Sequence, residues 1–109
     1  MHVRHWENSG GNTLDKYTVK MFPQAYRDID KIYEQAFLVS NYADDAIALA
    51  EKLEKAILSL EEQPYRGAER KYGFYAFKGY RQLIVENYII IYEVFENEKV
   101  VAVVTVKYG

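Results

Sequence analysis

The period of the hydrophobic positions changes at Pro64, and the change divides the chain into a helical half and a strand-rich half. In the first half Ala25, Ile29, Ile32, Tyr33, Ala36 and Phe37 recur at helical spacing, with Arg27, Asp28, Asp30, Lys31 and Glu34 on the other side, which predicts an amphipathic helix. Ser40-Asn41 offers N-cap side chains, and Asp44-Asp45 places carboxylates where a helix dipole favours them, so a second helix is predicted from about Tyr42 to Glu62. Its apolar stripe is Ala46, Ala50, Leu53, Ile57 and Leu60. The Leu38–Asn41 link is short enough to make the two helices an antiparallel hairpin. Upstream, Tyr17–Phe22 is β-branched and aromatic and stops at Pro23, a residue that suits a first helical turn. Downstream, Gln82–Glu86, Tyr88–Phe95 and Lys99–Lys107 are three strand-like runs joined by Asn87 and by Glu96-Asn97-Glu98. Short joints make such strands antiparallel neighbours. The order predicts an α+β domain, β-α-α-β-β-β, with an antiparallel sheet covered on one face by the helical hairpin. Tyr88 and Tyr92 share one parity, and Ile89 and Ile91 the other. Ile89 and Ile91 are assigned to the core beneath the helices, leaving Tyr88, Ile90 and Tyr92 on a groove-like face beside Arg81 and Lys107.

Residues 1–14 fit neither period. The polar, Gly-containing stretch Glu7–Thr13 reads as a disordered or expression-derived leader ahead of a single domain over 15–109. His2, His5 and Glu7 are ligand types, yet no further ligand is spaced to complete a metal site. A chain of 109 residues suffices for one core without staples. With 0 Cys there is no disulfide, thiol nucleophile or thiolate metal site. No metal or organic cofactor is expected. The apolar runs Tyr88–Tyr92 and Val100–Val106 are far too short to span a bilayer, and no secretory signal is visible, so no membrane partner and a cytoplasmic location are expected.

Charge is uneven. Residues 1–63 carry 7 Lys+Arg against 11 Asp+Glu, a balance of -4, whereas 64–109 carry 7 against 5, a balance of +2. Between Arg66 and Arg81, Arg70, Lys71 and Lys78 interleave with Tyr72, Phe74, Tyr75, Phe77 and Tyr80, against Glu69 alone. Cations with flat rings can hold a polyanion or a protein partner, although a sequence pI near 5.7 is low for a dedicated nucleic-acid domain. Asp44, Asp45, Glu61 and Glu62 lie at helix ends, where solvated carboxylates are routine.

The opening strand with Pro23, the hairpin ending in Leu60-Glu61-Glu62-Gln63-Pro64 with Arg66-Gly67 behind it, Gly79-Tyr80-Arg81, the strand Asn87–Val94 and the closing Lys107-Tyr108-Gly109 together resemble the RelE/ParE superfamily of type II toxin–antitoxin toxins. The resemblance covers roughly Tyr17 to Gly109. It implies a toxin neutralised in a hetero-oligomer by a cognate antitoxin, whose extended or helical segment wraps the helices and sheet. It also implies one of two activities. A RelE-like branch cuts messenger RNA on the ribosome with converging basic residues and no metal; a ParE-like branch binds DNA gyrase and stalls its DNA-cleavage cycle. The arginine that follows the central-strand tyrosine in the ribonucleases is Ile89 here, and another arginine expected past the last strand falls after Gly109. Catalytic candidates for the ribonuclease reading are Arg81, Lys78, Tyr92, Lys107 and Tyr108. Partner-facing candidates are Arg66, Arg81, Tyr88 and Tyr92. The missing cations favour the ParE-like branch.

Overall fold

The computed structural model describes the backbone of residues 5–6, and residues 16–40 and 43–109 in full except for the Ser40 side chain. In chain order the elements are β1 (His5–Trp6), β2 (Thr18–Met21), α1 (Pro23–Ser40), α2 (Ala43–Leu58), a 3₁₀ turn (Ser59–Glu61), β3 (Ala68–Glu69), β4 (Tyr80–Val85), β5 (Tyr88–Phe95) and β6 (Val100–Tyr108). The strands form one sheet in the order β1-β2-β6-β5-β4-β3. From β3 to β6 every pair is antiparallel, as short joints require. β2 lies parallel to β6, because the helical hairpin carries the chain across one face before it returns. The sheet is therefore mixed at that side. β1 falls within the stretch read as leader and pairs antiparallel with β2; the side chains of His2, His5 and Glu7, and of the N-cap candidates Ser40 and Asn41, lie outside those described.

α1 starts where the sequence indicates. The Phe22 carbonyl accepts the N–H groups of Ala25 and Tyr26 at 2.9 and 3.3 Å, and Pro23 brings no orphan donor to the first turn. Ala25, Ile32, Leu53, Ile57 and Leu60 are buried in one cluster with Val19, Met21, Leu83 and Ile90 of the sheet, and Ala46 is also buried. Tyr33 and Phe37, at 38% and 42% exposure, belong to the same helical stripe but face the rim.

The face assignment of β5 is reversed in the structure. Ile90 and Tyr92 belong to the core beneath the helices, with Tyr88 and Val94 packed against it, whereas Ile89 and Ile91 have the opposite parity. Each β5 side chain shares its face with its β4 partner: Leu83 faces Ile90 and Arg81 faces Tyr92. On β6 the register shifts opposite Ile91/Tyr92, so that Val104 is left over as a bulge. The extra residue resets the alternation and lets Val101, Val103 and Val106 all enter the core.

Candidate functional site

Three of the residues singled out in the sequence meet at one turn. After the 3₁₀ segment, Glu62 and Gln63 donate to the Ser59 carbonyl, Pro64 is buried, and the chain passes Gly67 close against the sheet. A methyl at Gly67 would overlap the Gln82 carbonyl and sit 2.7 Å from the Tyr92 hydroxyl, so only glycine fits. The Gly67 N–H donates to the Tyr92 Oη at 2.9 Å, which is how a phenol comes to be fully buried at 0% exposure. Burial pushes the Tyr92 pKa up, and the Gly67 hydrogen bond works against that rise. Arg81 donates from Nε to the Gly67 carbonyl at 2.8 Å and from Nη2 to the Tyr65 carbonyl at 3.3 Å, with its guanidinium 5.2 Å from the Tyr65 ring. Arg66 donates to Ser59 Oγ at 2.7 Å. The group Arg66, Arg81 and Tyr92 is thus a clamp that fixes the turn on the sheet, with Tyr92 sealed from any partner.

Tyr88, Lys107 and Tyr108 gather at the other end of β5. Tyr88 and Tyr108 pack edge to face at 5.5 Å, and with Asp28, Lys31 and Lys107 they border an open cavity of about 310 Å³. Asp28 there caps the unpaired edge of β6 beyond the end of β2, accepting from Val106 N at 3.0 Å and from Thr105 Oγ1. Four residues of strand, about 13 Å, separate this end from Tyr92 and Arg81. Lys78 belongs to a third place, the loop before β4, where its ammonium lies 4.1 Å from the centre of the Phe74 ring. The three cations considered for catalysis, Arg81, Lys78 and Lys107, therefore do not converge, although Arg66 and Arg81 share the Gly67 turn. On β4 to β6 the charged residues are Arg81, Glu93 and Lys107, and Arg81 is on the helix-covered face. Among the described residues no group of His, Cys, Asp or Glu is placed to hold a metal ion, and no helix is long and apolar enough to cross a membrane.

Two further features were not legible in the sequence. The groove between α1 and α2 holds a cavity of about 170 Å³, floored by Met21 and Ile29 and bordered by Tyr26, Asp30, Tyr33 and Glu54. At the β5–β6 turn, Glu96 accepts hydrogen bonds from Tyr17 Oη at 2.7 and 2.8 Å, Tyr65 Oη at 2.5 Å and Lys99 Nζ at 2.8 Å. The Lys99 bond, then those from Tyr65 and Tyr17, hold the Glu96 carboxyl at about 2, well below the usual 4.5. This knot joins three segments far apart in sequence.

A helical hairpin over one face of a mixed sheet, with Arg66 and Arg81 holding the Gly67 turn, defines a small α+β protein. The sequence profile described as ParE toxin of type II toxin–antitoxin system, parDE, matches residues 19–109, and the chain belongs to this family. In the solved chromosomal ParDE toxin–antitoxin system from P. aeruginosa, a chain 19% identical superposes with a TM-score of 0.70 over 86% of this chain and 97% of its own length. In the RelBE2 toxin–antitoxin complex from Mycobacterium tuberculosis, a chain 20% identical superposes with a TM-score of 0.59 over 86% of this chain and 99% of its own. Both share the fold. No curated protein matches the chain.

Proposed function

We propose that this protein is the toxin of a type II toxin–antitoxin module acting in the cytoplasm, arresting growth by binding a macromolecular target such as DNA gyrase, and neutralised by a cognate antitoxin. Membership of the ParE toxin family supports the toxin assignment. The observation that carries binding over RNA cleavage is the dispersal of the cations. Cutting RNA without a metal needs a base for the 2′-hydroxyl and positive charge at the scissile phosphate within hydrogen-bond reach of one another. Here Arg81 is spent on the carbonyls of Gly67 and Tyr65, Lys78 lies over Phe74, and Lys107 stands at the far end of the sheet. The α1/α2 groove, with apolar floor and acidic rim, is suited to an antitoxin segment presenting apolar and basic side chains. Primer extension on abundant transcripts after brief induction tests the reading. Growth should stop with transcripts intact. Codon-phased cuts would establish the ribonuclease instead.

A further inference from the structure

The loop from Arg70 to Gly79 carries three cations and no carboxylate. It also exposes Tyr72, Phe74 and Phe77 to 73%, 75% and 72%, in a region where neither the helices nor the sheet use them. Single exposed apolar side chains are ordinary, but here three large rings fall within six residues of one loop, as at interaction sites. The loop is tied down at both ends. Arg70 N donates to the Tyr80 carbonyl at 2.8 Å, Phe77 N donates to the Arg70 carbonyl at 3.0 Å, and Tyr75 packs edge to face with both Phe74 and Tyr80 at 5.1 and 4.9 Å. Arg70 itself reaches Gln82 Oε1 at 2.6 Å. The rings are therefore presented by an ordered scaffold, which lowers the entropy cost of docking.

Phe77 supplies an independent observation. Its φ is 57°, in the left-handed region that glycine fills without steric cost and a bulky residue resists. The ring is then left in solvent, so packing does not offset that strain. A strained backbone that presents an otherwise unused aromatic ring points to a function for the ring.

We infer that the Arg70–Gly79 loop is the element that docks the target, and that it fits an acidic protein surface with an apolar pocket for the rings. The inference rests on the reading that this protein acts by binding. The geometry favours protein over nucleic acid. At Phe74 the Lys78 ammonium occupies one face and Tyr75 packs beside it, which limits base stacking on that ring, and the whole chain is net negative at -2. Aromatic side chains are enriched at protein interfaces, and the loop's cations complement an acidic partner. The surface is also separate from the α1/α2 groove and opposite to it in charge.

The test uses the full chain, induced from a graded promoter, with Phe77→Gly, Phe74→Ser and Lys71→Glu as variants. Phe77→Gly removes the ring while relieving the backbone, so it should melt no lower than wild type. Each variant should need at least about tenfold more protein to arrest growth, the size of a hot-spot loss. Phe77→Gly and Phe74→Ser that stay folded and arrest growth at the wild-type dose would overturn the assignment. So would tight binding of a fluorescein-labelled oligo-thymidine that disappears in Phe77→Gly, because the occupant would then be nucleic acid. Wild type that leaves growth untouched would remove the binding reading itself, and this inference with it.

Discussion

Gly67 shows how one residue without a side chain sets the position of several with them. Its N–H and carbonyl are taken by Tyr92 and Arg81, and its missing Cβ is what lets the turn lie on β4. Gly67→Ala should therefore cost about 1–3 kcal/mol by overpacking, read as a shift of the denaturant midpoint. An unchanged midpoint would mean that the turn does not press on the sheet. Glu96 makes a pH-dependent contribution. Its pKa falls from the usual 4.5 to about 2 in the folded chain, so the stability it adds is fully present above the unfolded value and is lost as pH falls through about 5 towards 2. Melting Glu96→Gln beside wild type should show a gap at neutral pH that closes in acid. A gap independent of pH would assign the effect to packing. Arg81 and Tyr92 could be picked out from the sequence as special, but their role could not, because the Gly67 turn that uses them is brought to β4 and β5 only by the tertiary fold.

At the level of elements, the helices and main strands were readable because each keeps one period over several turns or pleats. The stripe Leu53, Ile57 and Leu60 does lie at 0% exposure against the sheet. Ile57→Asp would strand a charge there, and loss of cooperative thermal melting is expected. A soluble, cooperatively melting variant would contradict the placement of α2. The two faces of β5 were harder to tell apart, because Tyr88-Ile89-Ile90-Ile91-Tyr92 is apolar at both parities. The usable signal was one step further on. Glu93 shares its parity with Ile89 and Ile91, which puts the charge away from the helices, and Tyr92 tolerates burial because Gly67 satisfies its hydroxyl. The bulge at Val104 and the parallel β2–β6 pairing leave no local mark in the sequence. Both are consequences of what the neighbouring strand and the crossing helix require.

For the whole molecule, order and spacing were enough to reach the family, while the arrangement of surfaces was not. The residues considered for catalysis are distributed over a buried clamp, a strand end and a loop, since each belongs to a different connection of the chain. The aromatic and basic loop was visible as composition, but the left-handed backbone of Phe77 and the exposure of its ring were not. Dispersed over three places, Arg81, Lys78 and Lys107 support the proposed binding activity over RNA cleavage. The most direct test adds the purified protein to DNA gyrase working on a plasmid. Supercoiling should fall with protein concentration while gyrase-cleaved DNA accumulates. Undiminished supercoiling, with codon-phased cuts in translated messages, would contradict the account.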